Sequence, residues 1–266
     1  PDVPDNDNPV GSYKRTFMLP KNWDGKDITL HFGGVKTCFF VWINGQQVGY
    51  NQDSKLPAEF NVTPYVKSGL NDIAVEVYRW CDGSYLEDQD FWRLAGIERE
   101  VYLYAKEKIS IADFTVIADL SKDYEDGIFN LKTLISANNA TKFKDKLNIK
   151  LAREGKTILK ETKEVVLKKE SSKTILHGAT LKKVDAWSAE IPNLYQLEIE
   201  LTDKKGKTIC AISKSIGFRN VKIEGSQLLI NGQPILIKGV NRHEHNMKTG
   251  HVVSKKDMLE DVLIMK

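Results

Sequence analysis

Along the first hundred residues, apolar and polar side chains alternate with a period of two, as in Ile28-Thr29-Leu30-His31-Phe32 and Phe39-Phe40-Val41-Trp42-Ile43. Successive side chains of a strand point to opposite faces, so this alternation predicts short, half-buried strands, with Gly, Asn and Asp marking the turns between them. Asn44-Gly45 predicts a two-residue hairpin turn within 35–50, because both central positions of a type I′ turn need a positive φ that these residues tolerate best. Further strands are expected at 73–79 and 100–105, and an aromatic, acidic loop at 80–92 lies between them. The pattern is that of an antiparallel sandwich whose loops are the natural place for binding residues.

From residue 106 a second all-β stretch begins, with strands expected at 114–118, 130–137, 146–152 and 195–201. About seven strands in a hundred residues point to an immunoglobulin-like sandwich. The lysine-rich run 161–173 also holds Glu164 and Glu170 and reads as a solvated strand face. The pattern changes after Gly225. Leu228-Leu229-Ile230 and Ile235-Leu236-Ile237 flank Asn231-Gly232 and predict another hairpin, its second strand continuously apolar. Past a polar loop at 241–251, Ser254-x-x-Asp257 fits a capping box, and Met258, Leu259, Val262 and Leu263 recur at helical spacing. A buried strand, a polar loop and a capped helix form one repeat of a (β/α)8 barrel. One such repeat cannot bury its own apolar faces. The expected organisation is therefore mainly β: a sandwich at 1–105, an immunoglobulin-like sandwich at 106–220 and an incomplete barrel start at 221–266.

Composition changes this picture little. Charged residues at 28% and hydrophobic ones at 41% give enough apolar mass to fold and argue against disorder. A formal charge of +3, dispersed along the chain, leaves no footprint for nucleic acid. No apolar run approaches the roughly 18–20 residues of a membrane helix, so no membrane partner is expected. Cys38, Cys81 and Cys210 are odd in number and lack metal-ligand spacing, which predicts free thiols and favours a cytoplasmic setting over a periplasmic or exported one. The first residue is Pro rather than Met, and the chain reads as part of something longer.

Two clusters could carry chemistry. Asp82 to Arg93 packs four acids and three aromatics into a short span. Aromatic faces stack on sugar C–H surfaces, and carboxylates accept from hydroxyls or hold hard cations. On composition alone, a solvated acidic loop anchored by core aromatics is the commoner reading. The second cluster, Asn241-Arg242-His243-Glu244-His245, follows the expected barrel strand, where barrel enzymes build their active face. His243 and His245 are two residues apart and do not share a helical face, which disfavours zinc; an imidazole bonding a substrate hydroxyl fits better. Glu87, Asp88, Asp90 and Glu244 are available acids, and sequence alone does not set any two face to face.

Several segments resemble family 2 glycoside hydrolases of the β-galactosidase type. They are Asn8-Pro9-Val10-Gly11, the stretch from Gly49 to Pro57, the stretch from Arg79 to Glu100, Trp187-Ser-Ala-Glu-Ile-Pro-Asn-Leu-Tyr195, Gly217-Phe218-Arg219 and Lys238-Gly-Val-Asn-Arg-His-Glu-His245. The resemblance implies a jelly-roll sugar-binding domain, an immunoglobulin-like domain and the beginning of a TIM barrel. It implies a retaining β-galactosidase acting on terminal β-D-galactose, in which Asp90 contacts the galactosyl group and a sodium ion, and His243 contacts the sugar in the transition state. It further implies a peripheral magnesium site with ligands at Gln52 and Asp82, and a homo-oligomeric parent. The acid/base and nucleophile glutamates of the family are expected beyond Lys266, so these 266 residues alone are expected to be inactive. A β-glucuronidase, a β-mannosidase and a non-catalytic carbohydrate-binding protein are the alternatives.

Overall fold

The computed structural model describes residues 2–87, 92–138 and 143–266. The chain folds into two compact units, Pro1–Lys106 together with Val240–Lys266, and Glu107–Gly239. The stretch 221–266 forms no unit of its own, and of its side chains only the hydrophobic Leu229 is buried. Among the described residues, no helix is long and apolar enough to cross a membrane.

In the first unit the period-two segments become strands β1 (Val10–Leu19), β2 (Asp27–Phe32), β3 (Val35–Lys36), β4 (Cys38–Ile43), β5 (Gln46–Gln52), β6 (Ala58–Asn61), β7 (Gly69–Tyr78), β8 (Gly96–Ile97) and β9 (Val101–Lys106). They form sheets ordered β1-β7-β4-β5 and β6-β2-β9, with the short pair β3-β8 beside them, and all described pairings in this unit are antiparallel. In β2, Ile28, Leu30 and Phe32 are buried while Asp27, Thr29 and His31 are part-exposed, as the alternation requires. Phe32, Phe39 and Phe60 bring their rings within 4.7–6.1 Å of one another in the core. The expected hairpin is β4–β5, and its turn residues Asn44 and Gly45 have φ of 51° and 79°. Between β7 and β8 the loop contains a short helix, α1 (Gly83–Glu87), that alternation does not announce.

The second unit holds seven long strands: β10 (Ile109–Leu120), β11 (Gly127–Ala137), β12 (Phe143–Arg153), β13 (Lys156–Leu167), β14 (Ser171–Leu181), β15 (Tyr195–Thr202) and β16 (Thr208–Ile216). Three of them form the sheet β10-β11-β14 and four form β13-β12-β15-β16, which is an immunoglobulin-like arrangement. Phe129, Leu131, Ile149, Leu197 and Ile199 fill its core. Two of the sequence motifs pack on each other here. Trp187 N donates to the Phe218 carbonyl at 2.8 Å, the Arg219 guanidinium lies 4.8 Å from the Trp187 ring centroid, and Tyr195 meets Phe218 edge-on at 5.1 Å. Gly217 is required by close approach, since a Cβ there would fall 2.8 Å from Trp187 Cβ.

Short strands β17 (Val221–Glu224), β18 (Gln227–Ile230) and β19 (Gln233–Pro234) follow, and Asn231 and Gly232 take the positive φ expected of a hairpin turn. The expected strand at 235–237 does not form. Leu236 and Ile237 are 79% and 76% exposed, because a barrel strand is held by parallel neighbours and the described residues offer none. The capping box does form. Ser254 Oγ accepts from Asp257 N, and Asp257 Oδ2 accepts from Ser254 N at 2.8 Å, starting α2 (Lys255–Met265). The apolar set on α2 is exposed, as expected for a single barrel repeat.

Candidate functional site

The acidic loop is anchored at Trp80, where an asparagine copies backbone pairing, and again at Glu87. Asn8 Oδ1 accepts from Trp80 N at 2.9 Å, and Asn8 Nδ2 donates to the Trp80 carbonyl at 3.0 Å, which gives the Asn8-Pro9-Val10-Gly11 motif its structural reason. At the end of α1, Glu87 Oε1 accepts from Ser54 N at 2.9 Å, and Ser54 Oγ donates to Glu87 Oε2. Ser54 is 2% exposed, so both carboxylate oxygens of Glu87 serve as anchor points. This removes Glu87 from the acids free for chemistry. Asp88 and Asp90 lie outside the described residues.

The structure brings the two chemical clusters together through Trp92. Its indole packs against the His245 imidazole with centroids 3.8 Å apart. Its carbonyl accepts from Leu94 N at 2.9 Å, Lys36 Nζ at 3.1 Å and His251 Nε2 at 3.0 Å. A carbonyl only accepts, so the His251 tautomer is the one with hydrogen on Nε2. The loop 241–251 is closed on itself by reciprocal backbone bonds of Asn246 and Gly250, at 2.8 and 2.9 Å. Gly250 has a φ of 63°, and a Cβ there would fall 2.9 Å from Leu94 Cδ1. Arg242 forks onto Asp261 of α2, with Nε 2.6 Å from Oδ2. His243 and Glu244 are exposed on this loop. His245 Nδ1 is buried with no hydrogen-bond partner among the described residues, a condition that costs about 1–3 kcal/mol.

Gln52 lies near Gly83, the residue that follows Asp82. The Gln52 amide lies about 3.9 Å from where a Cβ on Gly83 would sit, next to Asp82. Tyr50 donates its hydroxyl to Gln52 Oε1 at 2.6 Å, and Gly83 N donates to Asp82 Oδ1 at 2.9 Å. Magnesium demands about six oxygens in near-octahedral array. Two side-chain oxygens that already have donors do not make that site by themselves, and among the described residues no group of three or more His, Cys, Asp or Glu could hold a metal. Cys38, buried near Tyr50 and Cys81, has its thiol pushed up to about 11, mainly by burial and then by Cys81. Tyr50 is likewise held above the usual phenol range, first by burial. Neither is poised for chemistry at neutral pH.

A groove of about 630 Å³ lined by Tyr13, Phe17, Leu30, Phe32, Val75 and Tyr102, among others, lies on the β1–β9 side of the first unit and includes none of the sequence-predicted residues. Size alone does not mark the site. Missed in the sequence were Lys36, His251 and Trp92 as a junction, and Glu87 as an anchor. All depend on pairings between residues far apart in the chain.

Three family models match. "Glycosyl hydrolases family 2, sugar binding domain" covers residues 1–107, "Glycosyl hydrolases family 2" covers 109–219, and "Glycosyl hydrolases family 2, TIM barrel domain" covers 221–266. The β-galactosidase of Halalkalibacterium halodurans is 42% identical over 270 residues, and that of Priestia megaterium 41% over 273. All of this chain is covered in both cases, and it spans 26% of each relative's length. Among solved structures, a Bacteroides uniformis β-glucuronidase superposes with a TM-score of 0.88 at 23% identity, covering 96% of this chain and 32% of that one. A putative β-galactosidase from Bacteroides fragilis gives 0.86 at 21% identity, covering 96% and 39%. At these identities the structures speak for the fold alone. Jelly-roll and immunoglobulin-like sandwiches, a barrel-start hairpin and helix, and family models that run in succession along the whole sequence together make this chain a member of glycosyl hydrolase family 2.

Proposed function

We propose that this chain is the substrate-positioning part of a retaining β-galactosidase. The observation that carries the reading is the identity of 41–42% along the full chain to two relatives named β-galactosidase. The geometry supports it, because the acidic loop and the histidine loop meet at Trp92 and His245. In this reading His243 bonds a galactosyl hydroxyl, more strongly as the ring flattens toward an oxocarbenium ion, and Asp90 accepts from another. The acid/base and nucleophile glutamates come from the rest of the polypeptide, about 5–5.5 Å apart as retention requires. Sodium at Asp90, magnesium at Gln52 and Asp82, and a homo-oligomeric parent belong to the same proposal.

The test is turnover by the complete parent polypeptide on nitrophenyl β-D-galactoside, β-D-glucuronide and β-D-mannoside, with the product anomer read by NMR. Preference for the galactoside with retained configuration is expected. A higher kcat/KM on the glucuronide or mannoside, or an inverted product, overturns the reading. Absence of hydrolysis together with galactose binding favours the non-catalytic alternative.

A further inference from the structure

Lys36 is only 8% exposed, unusual for a side chain with a long polar head. It sits in β3, where it pairs in register with Gly96 of β8, and its Nζ reaches the Trp92 carbonyl. The same carbonyl takes His251 Nε2, at the far end of the loop that carries His243. The Trp92 ring meanwhile holds His245, two residues past His243. Trp92 is thus held by Lys36 of β3 and contacts the histidine loop at two points, His245 and His251.

We infer that Lys36 and His251 are positioning residues for the sugar site: by sharing the Trp92 carbonyl they fix the histidine loop against the first sandwich and so set where His243 presents its imidazole. The inference rests on the reading that His243 contacts the glycone. Neither residue touches substrate in this account, and both act through Trp92.

The experiment uses the complete parent enzyme and whichever of the three nitrophenyl glycosides the wild type cleaves fastest. Lys36→Met keeps the chain length and removes the donor, Lys36→Arg restores a donor, His251→Phe removes one, and His251→Gln keeps an amide N–H. A misplaced contact group costs about 10- to 100-fold in rate, so Lys36→Met and His251→Phe should each lower kcat/KM by about that much. The loss should fall mainly on kcat, because the His243 contact strengthens in the transition state. Lys36→Arg and His251→Gln should recover most of it. The double variant should lose less than the product of the single losses, since both act on one carbonyl.

A drop in melting temperature with kcat and KM unchanged would make the pair merely structural and overturn the inference, as would fully multiplicative losses. If the wild type prefers the glucuronide, the galactosidase reading fails while the clamp is still tested on that substrate. If it cleaves none of the three, both fall.

Discussion

Removing the Glu87 carboxylate tests whether the acidic loop is held by the contacts seen at Ser54. Both oxygens are engaged, one by Ser54 N at 2.9 Å and the other by Ser54 Oγ. Hydrogen bonds to a charged acceptor contribute about 1.5–3 kcal/mol each. Glu87 is part-exposed and water replaces some of what is lost, so Glu87→Ala should destabilise the first unit by about 2–3 kcal/mol, while Glu87→Gln and Ser54→Ala should each cost about half as much. With ordinary urea dependence this moves the midpoint by roughly 1 M. Trp23, Trp42, Trp80 and Trp92 lie in the first unit and Trp187 in the second, so fluorescence in a Trp187→Phe background reports the first unit alone. A Glu87→Ala midpoint within about 0.5 kcal/mol of its parent would refute the anchor, since only an unengaged surface residue behaves so. Glu87 would then return to the acids available for chemistry.

Three further outcomes follow. His177 is buried with Glu161 against its Nδ1, yet burial prevails and holds the imidazole below its ordinary value of 6.5, with Lys163 adding to the effect. As pH falls through 6.5 the unfolded chain binds a proton that the folded one refuses, so the second unit should lose stability downward from there; His177→Phe should flatten this slope in urea melts, and an unchanged slope would contradict it. Glu161, held low chiefly by Lys163, adds a separate loss that begins only as pH drops below 4.5. Ellman titration at pH 8 should modify the half-buried Cys210 first and Cys38 last, with all three thiols reacting in denaturant; rapid native labelling of Cys38 would show that its burial is wrong. Gly217→Ala should cost about 1–3 kcal/mol by driving a methyl into Trp187, and a neutral effect in thermal melts would mean the contact is looser than 2.8 Å.

Much of the fold was legible because its signals are local. The positive φ values at Asn44-Gly45 and Asn231-Gly232, and the Ser254–Asp257 box, depend on neighbours within four residues, and each formed as the sequence predicts. Alternation located strands such as β2, β11 and β15, in which one face is buried, and gave no signal for β1, whose side chains are exposed along most of its length. Where the signal was a plain apolar run it misled: Ile235-Leu236-Ile237 remains irregular, since such a run becomes a barrel strand only beside parallel partners. The candidate site was legible as two clusters and opaque as an assembly. No spacing in the sequence joins Trp92 to His245, or Lys36 and His251 to one carbonyl, across separations of 56 and 159 residues for the two hydrogen bonds. Glu87 looked like one acid among four because side-chain chemistry does not reveal that Ser54 folds back onto it.

The central claim is that the histidine loop delivers His243 to the sugar in the transition state, and the most direct measurement is kcat/KM of His243→Ala in the complete parent enzyme on nitrophenyl β-D-galactoside. The unfolding midpoint of the same variant, measured alongside, separates loss of this contact from loss of the fold. Hydroxyl contacts that strengthen in a glycosidase transition state supply several kcal/mol, so loss of this one should lower the rate by about 100- to 1000-fold, and a drop of that order with intact stability is the predicted result. Activity within a few-fold of wild type would contradict the account.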